Sequence, residues 1–150
     1  MTMFDADTNI YGRCRRARGI TQEYAAELLG VATRTVAAWE TGERIPSGTM
    51  VARMVDVYQT PVLALEHLRL NDALAREFIP KIAETPLPQA VCQLVSAVRS
   101  FAAIEGEERL LQIAADGKVD EIEKQEYDML MDALEPIVQA AMTLRIAAGV

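Results

Sequence analysis

The stretch from Thr21 to Ser47 constrains the chain most. It reads TQEYAAELLGVATRTVAAWETGERIPS, with glycines at 30 and 42 and a proline at 46. Thr21 suits a helix cap, and Glu23 falls in the first turn, where a negative charge complements the helix dipole. Tyr24, Ala25 and Leu28 then share one face of that helix. Leu29-Gly30 ends it, because glycine accepts the left-handed conformation of a helix exit. A second short helix fits about Thr33 to Thr41, with Val36 and Trp39 facing inward. Gly42 closes it, and Pro46 forbids its continuation. Two short helices joined by a tight glycine turn make a helix-turn-helix, with Ala25 small where the two must approach.

The flanking sequence supplies three more helices. Met1 to Thr8 is short, polar and acidic, and reads as a loose tail (1–8). Thr8 or Asn9 can cap a first helix to about Arg18, with Ile10, Tyr11, Cys14 and Ala17 on its apolar face. Ser47 or Thr49 begins a fourth through about Tyr58, carrying Met50, Val51, Met54, Val55 and Val57. Thr60 as cap and Pro61 as first helical residue open a fifth, which can run past Asn71-Asp72 toward Ile79. Pro80, Pro86 and Pro88 then mark the best boundary in the chain, a semi-rigid link. The predicted layout is a domain over 9–70, a helical extension and proline-rich linker over 71–87, and a helical region over 88–150.

In that last region Val91, Leu94, Val95, Val98 and Ala102 recur with helical spacing. Gly106 interrupts or ends their helix, and Glu107 to Ala115 form a further segment. Asp120 caps the last helix, with Glu123 three residues on as in a capping box. Ile122, Met129, Leu130, Ala133, Leu134, Ile137, Val138, Ala141 and Leu144 run along one side, across a kink imposed by Pro136. Alternating β-branched runs are absent, so the fold class is all-α.

Charge separates the two halves. Residues 1–70 hold eight arginines and eight acids, whereas residues 71–150 hold seven bases and fourteen acids. The acidic half should avoid phosphate. Cys14 and Cys92 lack metal-type spacing and read as buried thiols. The turn ADGKVDEIE does not fit an EF-hand, because Gly117 directly follows Asp116 and Lys118 takes a ligand position. His67 is the only histidine, so no histidine metal site or catalytic triad is expected, and no cofactor fingerprint is present. Without a signal peptide or a long apolar run, the expectation is a cytoplasmic, non-enzymatic protein.

The spacing A-x-x-L-G-V-x-x-x-T-V-x-x-W-E-x-G-x-x-x-P-S, Ala26 to Ser47, resembles the phage-repressor/Cro (XRE) type helix-turn-helix family of DNA-binding domains. The resemblance covers about Asn9 to Leu68. It implies a five-helix repressor-like domain whose recognition helix, about 33–41, enters the major groove of double-stranded DNA. By position it assigns Thr33, Arg34, Thr35, Ala37 and Ala38 to the base-reading end, with Arg34 as a fork onto guanine. The methyl of Thr33 or Ala38 would pack on a thymine methyl. Gln22 would meet phosphate or support the reading helix, and Thr41 and Arg44 would contact the DNA backbone. Arg15 and Glu40 match a structural ion pair. Ala37, Ala38 and Glu43 depart from the polar and basic residues usual there, which implies few direct base contacts and more reading of DNA shape.

The resulting expectation is a sequence-specific transcriptional regulator of bacterial or phage type, acting as a homodimer. Met129, Leu130, Ile137, Val138, Ala141 and Leu144 would pack across the dimer axis. The alternative is an antitoxin-like or adaptor protein whose acidic half binds a partner protein.

Overall fold

A computed structural model describes residues 9–149, so the tail expected over 1–8 lies outside the described residues. Every regular element among them is a helix. The chain divides into two compact units, one through Ile79 and one from Pro80.

The N-terminal unit holds six helices: α1 (Ile10–Ala17), α2 (Gln22–Leu29), α3 (Thr33–Glu40), α4 (Gly48–Tyr58), α5 (Val62–Asn71) and α6 (Ala73–Phe78). Their starts follow side-chain chemistry. Asn9 Oδ1 accepts from the Tyr11 and Gly12 amides, Thr21 Oγ1 from Tyr24 and Ser47 Oγ from Met50. Each satisfies an amide that the helix itself leaves unpaired. Gly30 closes α2 at φ 68°, as its lack of a Cβ allows.

The core gathers Tyr11 and Cys14 of α1, Ala25, Ala26 and Leu29 of α2, Val36 and Trp39 of α3, Val51, Met54 and Tyr58 of α4, and Leu63 of α5. Two registers differ from expectation. On α2 the buried face is Ala25, Ala26 and Leu29, one residue on from the predicted set, and Tyr24 and Leu28 are half-exposed. On α1, Ala17 is exposed and its place inward is taken by Arg15.

Thr60 does not cap α5. Its hydroxyl turns back and donates to Tyr58 O at 2.9 Å. The fifth helix also stops at Asn71, because Asp72 adopts extended backbone and caps α6, accepting from Leu74 and Ala75. Arg69 donates to the carbonyl of Ile79 and so closes the end of α6.

A polar cluster ties α1 to α5. Tyr11 Oη lies 2.8 Å from His67 Nδ1. The Asn71 amide nitrogen donates to His67 O at 2.9 Å and sits 3.2 Å from the same Nδ1. Nδ1 is the ring atom that Tyr11 and Asn71 share, and burial favours the neutral ring. Burial pushes the His67 pKa below its usual value. The folded state therefore binds a proton less readily than the unfolded chain. The stabilisation is complete above about pH 6.5, the unfolded histidine value, and is lost as pH falls from there toward the lowered folded pKa. The urea midpoint of the N-terminal unit should drop between pH 7.5 and 5.5, and His67→Gln should remove most of that dependence.

The C-terminal unit holds α7 (Leu87–Ala103), α8 (Gly106–Ile113), a single 3-10 turn (Ala114–Asp116) and α9 (Lys124–Ala147). Its extended start packs on it through buried Ile82, and Gln139 donates to Lys81 O. The stretch 71–87 is thus shared between the two units.

Asp120 and Glu123 form their reciprocal box, with Asp120 Oδ1 accepting at 2.8 Å from the Ile122 and Glu123 amides and Glu123 Oε2 accepting from the Asp120 amide. The box sits on the turn just before α9, which runs unbroken past Pro136. The core is Phe101, Ile113 and Leu130, with Leu110, Tyr127, Ala133, Leu134 and Ile137 against it. Leu130, assigned to a pairing surface from the sequence, is therefore wholly internal. Val91, Val95 and Val98 are not internal: α7 turns Ala90 and Phe101 inward instead. Cys14 is buried but Cys92 is exposed.

The residue in the left-handed region between α7 and α8 is Glu105, not Gly106. Gly106 is required for space, because a Cβ there would lie 2.4 Å from the Phe101 ring.

Candidate nucleic-acid interface

The interface is built around α3, whose inner side is fixed by three contacts of different kinds. Val36 and Trp39 are buried in the apolar core. Asn9 Nδ2 donates to Trp39 O at 2.9 Å, so the residue that caps α1 also clamps the C-terminal end of α3. Glu40, 6% exposed, receives Arg15 in a fork: Nε to Oε1 at 2.5 Å and Nη2 to Oε2 at 2.8 Å. Arg15 spends a further nitrogen on Ile20 O at 2.5 Å, which holds the α1–α2 turn.

This fork explains the charge state of its members. Burial alone would raise the Glu40 carboxyl, but hydrogen bonds from Arg15 and Gln22 and the nearby charges of Arg15 and Arg16 hold it below the usual carboxylate range. The hydrogen bond to Glu40 likewise raises Arg15. Tyr58, buried beside them, is pushed up to about 12 by desolvation. An ion pair this shielded is a structural joint between α1 and α3, with two-point geometry that a lysine could not reproduce.

With one side locked, the other side of α3 is defined. Arg34, Ala37 and Thr41 fall at i, i+3 and i+7 and form one row. Arg34 and Thr41 are exposed, while Thr33, Thr35 and Ala37 are half-buried beside them. The first turn of α3 has Ala32 at its cap and no side-chain acceptor, unlike α1, α2 and α4. The Thr35 amide donates back to Ala32 O at 2.8 Å, and the Thr33 and Arg34 amides before it have no side-chain acceptor. The α3–α4 loop folds back, with the Arg44 amide donating to Ala38 O at 3.0 Å and the Thr41 hydroxyl to the same carbonyl at 3.3 Å. The Arg44 side chain remains exposed next to Glu43.

Two of the assigned side chains are less open than Arg34. Ala38 is 9% exposed, although it stands on the row of Arg34 and Thr41 and outside the apolar core. Gln22 directs Nε2 to Glu40 Oε2 at 2.9 Å. Its amide is thereby engaged with α3. The sequence reading missed Asn9 as a clamp and Gly12 as a contact of the ion pair. A Cβ on Gly12 would come within 3.1 Å of Glu40 Oε2, a closeness that a glycine inside a helix hints at only weakly.

Among the described residues no group of three metal-binding side chains occurs, and no single helix is long and apolar enough to cross a membrane. Compared with known proteins, residues 13–65 match the model of the helix-turn-helix family. No curated protein and no solved structure gave a match to the chain.

Proposed function

Because the N-terminal half carries an XRE-type helix-turn-helix domain of the DNA-binding kind, we propose that the chain is a sequence-specific transcriptional regulator that lays α3 in the major groove of duplex DNA. One observation carries the reading: an outward row with an exposed arginine on a helix whose opposite side is locked by Val36, Trp39 and the Arg15–Glu40 fork. A reading group on a rigid element loses little entropy on docking and is aimed accurately. Arg34 alone in that row can fork onto guanine O6 and N7. Thr33 and Thr35 flank it, and Thr41 and Arg44 lie where phosphates pass. With alanine at 37 and an acid at 43, direct contacts are few and DNA shape carries more of the preference.

The first 70 residues are electrically neutral overall, so one copy should bind weakly. Two-fold pairing would set two recognition helices about 34 Å apart, one turn of DNA.

Arg34→Ala should cost about 1–3 kcal/mol on the preferred sequence and relax the choice at one base position. Arg44→Ala should weaken binding to all sequences alike and reduce the salt dependence. Titrations of both variants on matched and single-substituted duplexes decide the matter. Equal loss on every duplex for Arg34→Ala would make it a phosphate contact and remove it from the reading set.

A further inference from the structure

The C-terminal unit leaves one of its apolar faces open. Leu87, Val91, Val95 and Val98 lie along one side of α7 and are 43–46% exposed, so the outer half of each side chain is uncovered. We infer that this face of α7 is where a second copy of the chain docks. The inference deepens the dimeric DNA-binding reading and rests on it for the choice of occupant.

Charge supports that occupant. Residues 80–150 hold six bases against twelve acids, so two copies of this unit repel one another on most approaches. Helix α7 is the exception, because its seventeen residues include a single charged side chain, Arg99. Two acidic units can meet there without desolvating or opposing carboxylates. A basic partner would be drawn to the acids elsewhere on the unit and would gain nothing from this face. A two-fold contact meets the same patch on its partner and needs no complementary charge. The face also differs from the one anticipated on α9, where Leu130 is consumed by the unit's own core.

The test uses the full chain without DNA. Sedimentation equilibrium at micromolar concentration should give a mass of two chains. Val91→Asp with Val95→Asp, both at exposed positions, should give one chain with unchanged helical circular dichroism. The native chain offers an independent readout. Cys92 is exposed on α7 and Cys14 is buried, so a short thiol-specific cross-linker should yield a covalent dimer that Cys92→Ser abolishes.

A monomeric wild-type chain, or a dimer that survives the double substitution, would overturn the inference. If the double variant loses helicity, cross-linking decides: absence of a Cys92-dependent dimer overturns it. A chain that dimerises through α7 but binds no duplex would leave this inference standing and defeat the DNA-binding reading. A monomer that binds duplex would do the reverse.

Discussion

Trp39→Ala should abolish the cooperative unfolding transition of the N-terminal unit at room temperature. Trp39 is 6% exposed and belongs to the core cluster that joins Tyr11 and Cys14 of α1, the α2 residues, and Met54 and Tyr58 of α4. Truncating a buried tryptophan costs about 3–5 kcal/mol, because the transfer energy is lost and a cavity is left. A domain of this size has at best about 5–15 kcal/mol in total. The carbonyl of Trp39 also holds Asn9, so movement of this backbone loosens the start of α1. Circular dichroism of the full chain in urea should show the loss. The C-terminal unit has its own core and should keep its own transition. A Trp39→Ala chain that keeps both transitions would mean that Trp39 is exposed and that α3 has another register, with Arg34 no longer outward.

Glu40→Ala should cost about 3–5 kcal/mol, the typical result of removing one partner from a buried pair. The cost arises from what remains: a guanidinium that is 7% exposed, with two of its donors unmatched. Gln22 loses its acceptor in the same step. Replacing both members with apolar residues, as in Arg15→Leu with Glu40→Leu, should recover most of the loss, because no stranded charge is left. Chemical denaturation of the three variants checks this. Acid should act as the single substitution does. Because the folded Glu40 pKa lies below its unfolded value, the contribution is present above about 4.5 and disappears as pH falls through the folded pKa. Near-equal stability of Glu40→Ala and wild type would show that the pair is solvated and that α3 is held by the apolar core alone.

What the sequence disclosed and what it concealed have a common physical basis. Local chemistry was legible. The caps at Thr21 and Ser47, the glycine exit at 30, the Asp120–Glu123 box and the inward Val36 and Trp39 all depend on groups within one or two turns of each other. The Arg15–Glu40 pair is not local, and it was reached only through the resemblance.

Where spacing admitted two answers, the sequence misled. Tyr24, Ala25 and Leu28 form the same pattern as Ala25, Ala26 and Leu29, and alanine carries too little apolar weight to choose between them. Packing against α3 and α4 chooses the second set. Helix α7 shows the same failure on a larger scale: its strongest stripe is the exposed one, because periodicity finds a face and does not say whether this chain covers it. Ala38 lies outward by helix geometry yet is 9% exposed, and the Arg44 amide of the following loop donates to its carbonyl. Gly106 looked like a turn residue, whereas the turn strain falls on Glu105 and the glycine makes room for a ring.

Sequence-specific binding of duplex DNA is tested by selecting bound duplexes from random-sequence DNA with the full chain and titrating the winners across salt concentrations. The expected result is an enriched site with two-fold symmetry and half-sites one DNA turn apart, a guanine among the preferred bases that Arg34→Ala no longer selects, and affinity that falls linearly on a log–log plot with salt. Recovery of no preferred sequence, together with no salt-dependent binding to any duplex, would contradict it.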